Sequence, residues 1–122
     1  MAERFIKFTV IVKKWFDKVN GNTYHSVRCV RCSDMAIVVG QFQYGYGEHY
    51  KQTALYAMAE AGWLSRPMMQ KPNPKRPQVF QTIPTKIYSA ENAWEYEREN
   101  NYPILWTVSE GLKRDCIANG IL

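Results

Sequence analysis

Residues 20–64 read NGNTYHSVRCVRCSDMAIVVGQFQYGYGEHYKQTALYAMAEAGWL, spelling in one unbroken run a hairpin turn, two strands, a Gly-Tyr-Gly corner and a helix. Asn20-Gly21 is the preferred central pair of a two-residue type I′ turn, because both positions need positive φ. Upstream of it, residues 4–16 alternate, with Ile6, Phe8, Val10 and Val12 on one side and Lys7, Thr9 and Lys13 on the other, the period of a half-buried strand. A two-residue turn sets the register: Trp15 faces Ser26, Lys13 faces Arg28, Ile11 faces Val30 and Val12 faces Cys29. The inner face then holds Phe8, Val10, Val12, Val27 and Cys29.

Downstream, Ser33-Asp34 predicts a second reversal and residues 35–44 a third strand, with Phe42 and Tyr44 inward and Gln41 and Gln43 outward. Gly45 and Gly47 loosen the next corner, and Glu48 suits a helix start. Tyr50, Ala54, Ala57, Met58 and Ala61 recur at helical spacing, and Gly62 ends the helix with Trp63 and Leu64 packing back on its last turn.

From Ser65 to Pro77 prolines stand at 67, 72, 74 and 77 with no apolar period, which predicts an extended, partly mobile connection. Residues 79–88 suit an edge strand interrupted at Pro84. Ser89 caps a helix to about Asn100 with an apolar stripe of Ala90, Ala93 and Trp94. After Pro103 comes a short apolar run, and Thr107 with Glu110 matches a capping box for a last helix carrying Val108, Leu112 and Cys116, stopped at Gly120. The expected fold is a single α+β domain over residues 1–122. Residues 1–64 form a three-stranded antiparallel meander with a packed helix, 65–77 a basic connection, and 78–122 a mixed C-terminal part with one short strand and two helices.

A chain of 122 residues with 46% hydrophobic content is large enough for one core without disulfide or metal staples. No apolar run has the length of a membrane-spanning helix. The opening MAERFIKF is charged where a signal peptide needs an apolar centre, and three cysteines cannot all pair within one chain, so a reducing, cytoplasmic setting is expected. The net charge of +5 is unevenly spread. Between Glu60 and Glu91 there is no acidic residue, while Arg66, Lys71, Lys75, Arg76 and Lys86 fall in that gap. Glu91, Glu95, Glu97 and Glu99 then crowd one segment, which reads as a solvated helix face.

Cys29-Val30-Arg31-Cys32 with His25 and His49 has the composition of a zinc site, and a zinc-stabilised structural domain is one alternative. Strand alternation opposes it, because residues three apart point to opposite faces. No metal or other cofactor is expected. Nucleophilic catalysis needs a thiolate open to a cleft and near its base, whereas Cys29 reads as buried and His25, opposite Phe16, as packed. Phosphate capture at Gly45-Tyr46-Gly47 is opposed by Glu48, whose carboxylate would satisfy the helix N–H groups. No catalytic residue is assigned, and a binding role follows. Its candidate residues are Lys7, Lys13, Trp15 and Arg28 on the outer sheet face, where Lys13 and Arg28 oppose each other, and Arg66, Lys71, Lys75 and Arg76 on the basic connection.

The strand–strand–strand–helix order, with GYGEHYKQTALYAMAEAGWL leading into the helix, resembles the second half of a double-stranded-RNA-binding domain, which implies a duplex-binding module. That family has lysines at the start of this helix, where Glu48-His49-Tyr50 stands here. NGNTYHSVR followed by YGYGEHYKQTA is also similar to a group of small, uncharacterised proteins of phages, bacteria and archaea. That resemblance implies a phage-type accessory protein in the host cytoplasm that docks on a host nucleoprotein or nucleic acid, including inhibitors of host defence such as anti-CRISPR proteins.

Overall fold

The computed structural model describes residues 4–122; residues 1–3, the head of the charged opening, lie outside it. The elements follow in the order β1 (Phe8–Asp17), β2 (Asn22–Arg31), β3 (Ile37–Tyr44), α1 (His49–Glu60), β4 (Met68–Pro72), β5 (Phe80–Pro84), α2 (Ala90–Glu99), β6 (Ile104–Glu110) and α3 (Lys113–Asn119). The fold is α+β. β1, β2 and β3 form the expected antiparallel meander, and β6 widens it on the far side of β1 into a four-stranded sheet of order β3-β2-β1-β6. β6 runs parallel to β1.

One face of the sheet carries Phe8, Val10, Val12, Val27, Cys29 and Ile104, all buried against Tyr50, Ala54, Leu55 and Met58 of α1. Apart from Ile104, which β6 supplies, the sheet residues are the inner-face set that alternation predicts. Burying each of the larger side chains contributes about 1.5–3 kcal/mol, so this layer is the main source of stability. α1 ends in a Schellman motif: Gly62 has φ +80°, the Trp63 N–H bonds the Met58 carbonyl at 2.9 Å and the Gly62 N–H bonds Ala59 at 3.0 Å. Trp63 thereby returns to stack on Phe8, ring centroids 5.9 Å apart.

The β1–β2 register differs from expectation by two residues, so Lys13 faces Ser26, Arg28 faces Ile11 and His25 faces Lys14. The cause lies in the turn. The Asp17 carboxylate accepts bonds from the Val19 and Asn20 N–H groups and the Asn20 amide, and the Gly21 N–H bonds the Asp17 carbonyl, which closes a four-residue loop. Only Gly21 takes positive φ there. A shift of two keeps every side chain on its face, so the predicted core survives. The reversal at Ser33-Asp34 uses the same device, with Met35 at φ +62° and its N–H on the Arg31 carbonyl at 2.7 Å.

Phe42 and Tyr44 do not point inward. The β2–β3 register slips between His25 and Val27, a bulge that turns the last part of β3 over. Phe42 and Tyr44 therefore join Trp15 and Tyr24 on the opposite face, with Phe42 and Tyr24 stacked at 5.0 Å. α3 crosses that face. Its hold is polar: Ser26 donates to the Cys116 carbonyl, the Cys116 thiol reaches the Lys13 carbonyl at 3.2 Å, and the Asn119 amide reaches the Ile11 carbonyl at 3.1 Å.

Two further expectations are corrected. Thr107 and Glu110 belong to β6, not to a capping box, and α3 starts only at Lys113 behind Leu112, which makes no side-chain cap. The stretch 65–77 is not structureless, because β4 pairs with β5 as a separate antiparallel ribbon. α2 starts at Ser89 as predicted, in a full capping box with Asn92. Its buried residues are Ala93 and Glu97, whereas Trp94 is exposed. Among the described residues no helix is long and apolar enough to cross a membrane.

Candidate nucleic-acid interface

The β4–β5 ribbon holds the basic stretch. Its register runs from Met68 opposite Pro84 to Pro72 opposite Phe80, with Lys71 opposite Gln81. Each strand has five residues, a reach of about 17 Å at the usual rise per residue. Prolines that argue against regular structure instead build the tip. The Arg76 N–H bonds the Asn73 carbonyl at 3.2 Å, a β-turn with Pro74 at its second position, and the Val79 N–H bonds the Arg76 carbonyl at 2.8 Å, a second turn with Pro77 in the same place. Proline's fixed φ suits that position. The Asn73 side chain adds an Asx turn by accepting from the Lys75 N–H at 2.9 Å.

Lys75 and Arg76 are thus displayed at the head of a preorganised tip, with Lys71 one strand position below it. All three are exposed, and among the described residues none makes an ion pair. Glu95 and Glu99 form no ion pair with them. Arg66 behaves differently: it pairs with Glu60, donates to the Lys86 carbonyl at 3.3 Å and lies over the Tyr56 ring. It anchors the root of the ribbon. Met68, Met69, Val79 and Phe80 are exposed along the same ribbon.

The other predicted cations do not form one patch. Ser26, opposite Lys13, is fully buried under α3, and an Arg28 guanidinium nitrogen donates to the Ile121 carbonyl at 3.0 Å. Lys7 is exposed at the mouth of β1, far along the strand from Trp15. Trp15 is packed by Tyr24 and Phe42 and has the Lys113 ammonium 5.2 Å from its ring centroid. The face is a covered layer with an aromatic corner.

The thiols and imidazoles sit apart from this ribbon. Cys29 lies in the core with its sulfur facing the Ala54 carbonyl, and burial pushes its thiol up to about 12, so it stays protonated. Cys32 is exposed beyond the strand end. Burial also raises the Cys116 thiol. His25 is fully buried, with Nε2 2.7 Å from the Thr53 hydroxyl and Nδ1 3.2 Å from the Gly45 carbonyl. The carbonyl can only accept, so Nδ1 carries the proton and Nε2 accepts from Thr53. Burial drives its pKa down to about 4. Both nitrogens are used structurally. Among the described residues no group of three or more His, Cys, Asp or Glu side chains comes together as a metal site would need. Glu48 makes no cap bond to the start of α1; its carboxylate sits 3.6 Å from Lys51 instead.

One polar cluster escapes the sequence reading. Glu97, assigned to a solvated face, is 4% exposed and accepts from the Lys51 ammonium at 3.2 Å and the Trp106 indole N–H at 2.5 Å. Desolvation pulls the Lys51 pKa down, but the Glu97 charge and hydrogen bond outweigh it and leave the ammonium favoured. The cluster ties α1, α2 and β6 together. Its signal was spacing: Glu97 falls four residues after buried Ala93, on the same helix stripe. Comparison with protein-family models, curated proteins and solved structures finds no match to this chain.

Proposed function

We propose that the protein is a non-enzymatic binding protein that grips duplex nucleic acid with the β4–β5 ribbon. The observation that carries this reading is the turn-locked tip bearing Lys75 and Arg76, with Lys71 beside it, free of acidic neighbours over the whole stretch from 61 to 90. Three unpaired cations on a narrow two-stranded element match a phosphate backbone, and a β-ribbon is what a major groove about 12 Å wide admits. Preorganisation by Pro74 and Pro77 removes much of the ordering cost that a flexible basic arm would incur on binding. The phage-type, host-directed role rests on sequence resemblance alone. Docking on a nucleoprotein is the second reading, favoured by the exposed Met68, Met69, Val79 and Phe80, which offer apolar contact beside the cations.

The test is fluorescence anisotropy on a labelled 20-base-pair duplex over a salt series. Three phosphate contacts contribute a slope of about −2.7 in log affinity against log salt, at roughly −0.9 per contact. The triple variant Lys71→Gln, Lys75→Gln, Arg76→Gln loses that part of the slope. Binding with an unchanged slope in the variant, or absence of binding to naked duplex at low salt, rules out the ribbon as a direct nucleic-acid reader.

A further inference from the structure

The two faces of the β4–β5 ribbon differ. Side chains alternate along each strand, and the register sets Met68 opposite Pro84, Gln70 opposite Thr82 and Pro72 opposite Phe80 on one face. All six are exposed and none is charged. The reverse face carries Met69, Lys71, Gln81 and Ile83, of which Gln81 and Ile83 are half-buried. The cations therefore stand off the open face, with Lys75 and Arg76 at the tip and Lys71 behind it. That division suits a groove reader, because lysine and arginine on phosphates fix position while base edges are read by other contacts.

Gln70 is set for one base edge in particular. Its Nε2 donates to the Thr82 hydroxyl across the ribbon at 3.2 Å. A carboxamide has two N–H donors and a carbonyl acceptor, so one donor and the carbonyl stay open while Thr82 limits how the amide turns. A donor beside an acceptor is the complement of adenine, which shows N7 as acceptor and N6 as donor in the major groove, whereas guanine shows two acceptors there. One row nearer the tip, Phe80 is 61% exposed opposite Pro72, an apolar ring of the kind that meets the thymine methyl. The two rows are about 7 Å apart at the usual strand rise, which matches two base-pair steps of about 3.4 Å each.

We infer that this face reads sequence in the major groove of duplex DNA, with Gln70 on an adenine and Phe80 against a thymine methyl about two steps away. Thr82 acts through Gln70 as a positioning residue. The occupant is set by the cations around the face, which match phosphate walls, and by the groove itself. The major groove of DNA admits a two-stranded ribbon, whereas that of an RNA duplex is too deep and narrow for side chains to read. The inference rests on the duplex-binding reading above and adds to it the choice of base.

The probe is a library of DNA duplexes with twelve randomised base pairs, selected on the immobilised full chain at low salt and sequenced, followed by anisotropy on single duplexes. Selected duplexes share an A·T pair, and changing it to G·C weakens binding about tenfold. Gln70→Ala binds the two duplexes equally, with the salt slope and melting temperature of the parent. Gln70→Glu, an acceptor only, moves the preference at that pair from adenine to cytosine and carries the test if Gln70→Ala fails to fold. Thr82→Val narrows the A·T preference at an unchanged slope. Deoxyuridine in place of the selected thymine weakens the parent but not Phe80→Ala. The inference alone is overturned if the parent binds duplex with the slope of three phosphate contacts yet selection fixes no base pair, or if Gln70→Ala keeps the parent's preference. Absence of binding to every duplex overturns it together with the duplex-binding reading.

Discussion

Acidification should destabilise this protein through His25. The native ring is sealed and neutral, with its pKa lowered from 6.5 to about 4 by burial, the cost of which exceeds the help from the Gly45 carbonyl. In the unfolded chain the imidazole regains its ordinary value, so below pH 6.5 the unfolded state binds a proton that the native state refuses. The stabilisation is therefore complete above pH 6.5 and is lost as pH falls toward 4. Across the full window the loss is about 3 kcal/mol, and about 2 kcal/mol is gone by pH 5. Urea unfolding of the parent and of His25→Gln at pH 7.5 and pH 5 isolates this share, because the carboxylates common to both cancel. The parent loses about 2 kcal/mol more than the variant between the two pH values. Parallel losses, or a native imidazole resonance for His25 that titrates near 6.5, would refute the reasoning.

Glu97→Gln leaves the Lys51 ammonium without its buried partner and weakens the Trp106 bond; because Lys51 keeps some water contact, the expected cost is about 2–3 kcal/mol by chemical denaturation. Gly120→Ala places a Cβ 2.9 Å from the Gly40 carbonyl and the Gln41 Cα at the bulge, so α3 must lift; a loss of about 1–3 kcal/mol is expected, read as a lower melting temperature. Thiol titration with a chromogenic disulfide under native conditions shows one fast-reacting group, Cys32, and Cys32→Ser abolishes it; Cys29 and Cys116 react only on unfolding.

The core was legible because alternation needs no register: Phe8, Val10, Val12, Val27 and Cys29 stay on one face whether the hairpin turn has two residues or four. The turn itself was not, since Asn20-Gly21 carries a strong two-residue signal and the competing Asp17 carboxylate acts from three residues upstream. The bulge in β3 has no local signature, so Phe42 and Tyr44 read as inward. β6 was hidden by a coincidence, Thr107 and Glu110 at capping-box spacing, although Ile104, Trp106 and Val108 alternate as strand residues do. At the candidate interface the cations were legible by the acid-free gap, but their division of labour was not. Arg66 and Arg28 spend their guanidinium groups on the protein's own carbonyls and carboxylates, which only packing decides.

The parallel pairing of β6 with β1 joins segments separated by most of the polypeptide. Such a contact closes late, because the entropy of drawing distant segments together must be overcome before any pairing rewards it. During synthesis the meander and α1 emerge first, leaving β1 with a bare hydrophobic flank until residues 104–110 leave the ribosome. Translation pauses or truncations upstream of Ile104 should therefore yield aggregating rather than merely inactive chains.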